Sequence, residues 1–113
     1  MKTTEFEVQV FKAFCDENRL RILQLLRSGE MCACNLQDVL TISQSTLSHH
    51  MKILLESGLV ASRKSGKWTY YHLCPEGTNK AEELISFYLE VPNEASASCS
   101  CEENQQKNAH HTS

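Results

Sequence analysis

The stretch SQSTLSHHMKILLESG, residues 43–58, constrains the fold of this chain more than any other. Leu47, Met51, Leu54 and Leu55 recur at steps of three and four, the spacing of one buried helical face. Ser43 stands where an N-cap belongs, and Gly58 where a helix ends in the left-handed region. Two strand-like runs follow at once, LVASRK and WTYYHLC, rich in β-branched and aromatic residues and split by a Ser-Gly turn. That composition and that turn predict a hairpin.

Upstream, Glu5 to Cys15 reads as an amphipathic helix through Phe6, Val10 and Phe14, with Phe11 beside them. Asp16 to Asn18 breaks the pattern and supplies caps. RLRILQLLRSG makes a second helix, with Leu20, Leu23 and Leu26 on one face, Ile22 in support and Gly29 at its end. NLQDVL suits a short third helix capped by Asn35, with Leu36, Val39 and Leu40 apolar, and TIS breaks it. Downstream, Asn79 to Leu89 fits a last helix through Ala81, Leu84, Ile85 and Tyr88, which Pro92 closes.

The expected fold is therefore mainly α with a β-hairpin wing. It is a winged helix-turn-helix in the order α-α-α-α-β-β-α. The expected domain covers residues 1–91, followed by a flexible cysteine-containing tail over 92–113. A chain of 113 residues, 41% apolar, suffices for one modest core.

Charge is distributed unevenly. The formal net charge is −3, yet between Ser43 and Cys74 four bases, Lys52, Arg63, Lys64 and Lys67, face one acid, Glu56. That is a local basic footprint inside an acidic chain. The second helix of such a pair lies in the major groove. Its outward face offers Gln44, Ser45, Thr46, Ser48, His49 and Lys52, side chains that reach base edges and phosphates. His50 is set with them, with an inward position and a core hydrogen bond as its alternative. Arg63, Lys64 and Lys67 suit the phosphate backbone of a flanking groove. Trp68, Tyr70 and Tyr71 are expected to pack rather than to stack on bases.

No apolar run approaches the ~20 residues of a membrane span. The N-terminus, MKTTEFEV, has no apolar signal core, so the expected location is cytoplasmic with no membrane partner. In a reducing compartment the six cysteines read as free thiols, metal ligands or redox groups rather than disulfides. Two of them, Cys32 and Cys34, stand in GEMCACNL, between the end of the second helix and the start of the third.

SQSTLSHHMKILLESGLV followed by RKSGKWTYYHL resembles the ArsR/SmtB family of metal-responsive repressors. GEMCACNL is similar to the Glu-Leu-Cys-Val-Cys-Asp-Leu box of its arsenic- and cadmium-sensing branches. The resemblance runs from about Phe6 to Leu89. It implies a homodimer joined by the first and last helices, which binds an inverted-repeat operator in double-stranded DNA and leaves it when an inducer binds. As(III) or Sb(III) is then the expected inducer, with no organic cofactor. A cadmium- or lead-responsive repressor, or a thiol-redox switch on the same fold, is the alternative.

Within a regular helix, residues two apart point about 200° apart around the axis. Cys32 and Cys34 therefore reach one ion only if the start of the third helix is unwound or bent. Thiolates select soft ions, and a cysteine near a helix N-terminus ionises more readily. Two departures from the family pattern matter. Gln37 stands where some arsenic sensors have a third cysteine. The last helix lacks the Asp/His and His/Glu pairs of the family's zinc sensors. The candidates for a third sulfur are Cys15, at the end of the first helix, and Cys99 or Cys101 on the tail. Cys74 reads as structural, and His110 and His111 as incidental. A thiol oxidoreductase is not expected, because no thioredoxin-like βαβ pattern or general base accompanies the pair.

Overall fold

The computed structural model describes residues 2–93. Its elements are α1 (Lys2–Ala13), α2 (Glu17–Leu26), β1 (Met31–Cys32), α3 (Ala33–Leu40), α4 (Gln44–Ser57), β2 (Val60–Ser65), β3 (Trp68–Leu73) and α5 (Pro75–Leu89). The strands form one antiparallel sheet in the order β1-β3-β2. Arg63 stands opposite Tyr70 in the β2–β3 ladder, and Cys32 opposite Tyr70 in the β1–β3 ladder.

Local chemistry sets the helix limits. The Asp16 carboxylate accepts from the backbone N–H of Asn18 at 2.8 Å and of Arg19 at 3.2 Å, which starts α2. Ser43 Oγ accepts from Thr46 N–H at 3.1 Å, which starts α4. Gly58, with φ +83°, closes α4 in the left-handed region. One core joins the elements: Val10 of α1, Ile22 and Leu26 of α2, Leu36 and Leu40 of α3, Leu47, Met51 and Leu54 of α4, Leu59 and Val60 at the start of the hairpin, and Ala81 of α5. Among the described residues no helix is long and apolar enough to cross a membrane.

The winged helix-turn-helix is present, with four differences in detail. The first helix ends at Ala13, so Phe14 and Cys15 lie in the turn before α2. A third strand, β1, precedes α3. The third helix begins at Ala33 with Cys32 as its N-cap residue, not at Asn35. The last helix begins at Pro75, four residues before the expected start. Proline fits the first helical turn, where its missing N–H is no loss. Gly77 is tolerated inside that helix for a steric reason: a Cβ there would lie 1.7 Å from the Gly58 carbonyl oxygen. The two glycines let the start of α5 seat directly on the end of α4. The expected tail from Asn93 onward falls almost wholly outside the described residues.

Candidate nucleic-acid interface and thiol site

The N-terminal half of α4 follows from its cap. With Ser43 fixed as the start, Leu47, His50, Met51 and Leu54 turn inward. Gln44, Ser45, Ser48, His49 and Lys52 are left exposed. Thr46 is half-buried, and its Oγ1 accepts from the Ser43 hydroxyl at 2.9 Å, so that hydroxyl belongs to the cap.

His50 departs from the expected outward set. It is buried, and its Nδ1 accepts from Arg19 Nη1 at 3.1 Å. An imidazole that accepts at Nδ1 is neutral, with its proton on Nε2. Burial lowers its pKa below 6.5, and the charges of Arg19 and His49 add to that against the opposing pull of Asp16. The correction has a simple cause: position 50 lies three residues after Leu47, on the stripe that faces the core.

On the wing, Lys64 and Lys67 are exposed near the turn. Arg63 is exposed but engaged. Its guanidinium donates to both carboxylate oxygens of Glu30 at 2.8 Å and lies 4.6 Å from the centre of the Tyr70 ring. Those hydrogen bonds hold the Glu30 carboxyl below its ordinary value. The sequence reading did not single out Glu30, because its partner is 33 residues away in the chain.

Cys32 and Cys34 meet at the β1–α3 junction, with their sulfurs 2.7 Å apart. The pair meets because the two residues do not share a regular helix, the condition that helical spacing set. Cys32 is not a helical residue at all; its backbone is extended, φ −71° and ψ 147°, and only Cys34 lies in the helix. Cys32 is buried and Cys34 exposed. The neighbouring Cys34 thiol, followed by the backbone N–H groups of Cys34 and Asn35, lowers the Cys32 pKa, while Cys34 is pushed up by the same contact. Those N–H groups face Cys32 without closing a cap hydrogen bond. One thiol of the pair is thus the readier nucleophile and metal ligand.

The sulfurs open into a cavity of about 380 Å³ whose wall includes Gln37, Gln44, Ser48, Lys67 and Trp68. The thiol pair therefore shares one space with three of the side chains expected to touch DNA, a proximity that no local spacing in the sequence announces. Among the described residues no group of three or more Cys, His, Asp or Glu side chains gathers to hold a metal. Within one chain Cys15 accordingly does not join the pair. Cys99 and Cys101 lie outside the described residues.

A capped helix with a short polar outer face, a tight turn before it and a basic hairpin after it define a winged helix-turn-helix protein of the DNA-binding kind. Residues 16–62 match the family model described as bacterial regulatory protein, arsR family. The arsenical resistance operon repressor of Escherichia coli K12 is 48% identical over 79 residues, covering 69% of this chain and 68% of that protein. The repressor of the same name from Bacillus subtilis 168 is 40% identical over 83 residues, covering 71% and 79%. A solved structure titled as a possible transcriptional regulator for arsenical resistance superposes with a TM-score of 0.64 at 38% identity, covering 73% of this chain and 85% of that one. The homodimeric winged helix-turn-helix domain of a possible ArsR-family regulator from Mycobacterium bovis gives 0.64 at 27% identity, covering 79% and 86%. The chain belongs to the arsR family of bacterial regulatory proteins. Its relatives are named as regulators and repressors, in keeping with a binding protein rather than an enzyme.

Proposed function

We propose that this protein is a transcriptional repressor that binds operator DNA as a homodimer and is released when a trivalent arsenic or antimony species is taken by Cys32 and Cys34. The observation that carries the reading is the sulfur pair, 2.7 Å apart, in a cavity walled by Gln44 and Ser48 of α4 and Lys67 of the wing.

The donor set fits the inducer. Two thiolates select a soft, thiophilic centre, and among the described residues they have no imidazole or carboxylate beside them to complete a zinc-like four-coordinate site. The trivalent metalloid supplies a centre that accepts sulfur donors. Everything else belongs to the chain. An ion held by both thiols would tie the extended Cys32 to the helical Cys34 across the β1–α3 junction. That junction starts the first helix of the DNA-binding pair, and the side chains facing it belong to the helix and wing that would hold DNA. The third position is filled by Cys15 of the partner subunit, by Cys99 or Cys101, or by a group the inducer itself carries.

DNA is held by Gln44, Ser45, Ser48, His49 and Lys52 in the major groove, with Lys64 and Lys67 on the flanking backbone. The homodimer has a ready surface. Val8 and Phe11 of α1 and Phe87, Tyr88 and Leu89 of α5 are all exposed. The two helices meet through an edge-on contact of Phe11 with Tyr88, ring centres 5.8 Å apart, and through a hydrogen bond from the Tyr88 hydroxyl to Glu7. A continuous exposed apolar face of this kind marks an interface.

The decisive experiment is a titration of arsenite into the protein bound to labelled operator, followed by anisotropy. The wild type should let go, and Cys32→Ser and Cys34→Ser should stay bound. Equal release of wild type and both variants, or release of none, sinks the reading. The sulfur count from X-ray absorption, repeated with Cys15→Ser and with the tail removed, identifies the third position.

A further inference from the structure

Glu30 stands immediately before the thiol box, and a residue of the wing takes its carboxylate. Arg63 donates from Nε to one oxygen and from Nη2 to the other, both at 2.8 Å. Two parallel charge-assisted bonds fix the orientation of both side chains, which a single contact with a lysine would not do. The guanidinium also stacks on Tyr70.

Tyr70 is the pivot of this arrangement. It stands opposite Arg63 on one side and opposite Cys32 on the other. The Glu30–Arg63 pair thus passes over the central strand and ties the two outer strands of the sheet together. The outer strand β1 has only two residues, Met31 and Cys32, and such a short ladder has little of its own to hold it in place. Its second residue is one of the two thiols.

We propose that Glu30 and Arg63 are positioning residues that couple the thiol box to the wing. The strap makes β1, β3 and β2 move together, so that displacement of Cys32 carries into Lys64 and Lys67. Arg63 then serves the wing from within rather than as a phosphate contact, because its Nε and Nη2 edge is engaged by a carboxylate and the pair has no net charge. The proposal rests on the reading of Cys32 and Cys34 as the inducer site.

The test uses full-length Glu30→Gln and Arg63→Gln. Four quantities are measured: hydrogen exchange of the sheet amides without DNA or arsenite, the slope of log operator affinity against log salt, the ratio of operator affinities without and with arsenite, and arsenite affinity of the free protein. Both variants should exchange faster in β1, β2 and β3 than wild type. Arg63→Gln should keep the wild-type salt slope, whereas a lost phosphate contact lowers it by about one per site. The arsenite ratio should fall roughly threefold to tenfold, within the range of ordinary coupling between sites. Arsenite binding to the free protein should stay within about twofold, well under a tenfold step in affinity. Unchanged exchange, a salt slope lowered in Arg63→Gln, or loss of arsenite binding in Glu30→Gln would each overturn the strap. If arsenite leaves wild-type operator binding intact, the inducer reading fails by itself, and exchange and salt slope still decide whether the strap exists.

Discussion

The molecule holds two clusters built from the same three side-chain types, an acid, an arginine and a histidine, and uses them in opposite ways. The inner cluster is Asp16, Arg19 and His50. Arg19 reaches His50 Nδ1 at 3.1 Å and the Lys12 carbonyl at 2.9 Å, and Asp16 lies 3.7 Å from the same imidazole. Arg19 and His50 are 8% and 6% exposed. The outer cluster is Glu30, Arg63 and His72, with His72 Nδ1 3.6 Å from Glu30. There the Arg63 side chain is 53% exposed and that of Glu30 31%. Burial makes the difference. A buried guanidinium stripped of a partner cannot turn to water, so the inner cluster fixes the end of α1, the start of α2 and the middle of α4 as one body. The outer cluster exchanges its contacts with water at little cost. The reading helix is thus fastened from inside, and the wing is held by a link that can yield.

Arg19→Met breaks the inner cluster most severely. It strands the Lys12 carbonyl and the His50 acceptor, and should cost about 2–4 kcal/mol in a denaturant unfolding experiment. Its apolar length matches the arginine stem, so a loss under half that range would mean that the buried contacts are not what fastens α4.

A smaller effect comes from pH. The His50 pKa is lowered in the folded state, so the unfolded chain binds the extra proton first. The stability His50 contributes is complete above its unfolded pKa of about 6.5 and is lost as pH falls below it. Stability measured between about pH 7.5 and 5 should decline on acidification, and His50→Gln should flatten that decline. An equally steep decline in the variant would assign the titration to another group.

Salt gives the smallest and most selective effect. At about 1 M the screening length is near 3 Å, which weakens exposed pairs and spares buried ones. Amides of β2 and β3 should exchange faster at high salt while those of α4 do not, and Glu30→Gln should leave the global unfolding midpoint at its wild-type value. Equal salt sensitivity in the two regions would erase the contrast between the clusters.

What the sequence made legible was local. Ser43, the apolar steps through Leu54 and the glycine at position 58 specify α4 without reference to the rest of the chain, and the Ser-Gly turn specifies the hairpin. Most of the missed features depend on distant partners. The two residues of β1 form a strand only because Tyr70 and Tyr71 stand opposite. The start of α5 looks like a break until the Gly58 carbonyl is seen to fill the space where a Cβ at Gly77 would go. The inward side of His50 lay in the helical period, but its polarity argued for the surface. The thiol pair was legible as a pair and not as a geometry, because whether Cys32 belongs to the helix is decided by its pairing with β3.

One wall of the thiol cavity has a practical meaning. Trp68 is the only tryptophan in the chain, and it faces the same space as Cys32 and Cys34 while remaining 48% exposed. Its emission therefore samples that space with no other indole to dilute the signal. A heavy atom lodged between the sulfurs would sit in view of the ring, so the protein carries its own optical gauge for the site, unlabelled and free of DNA.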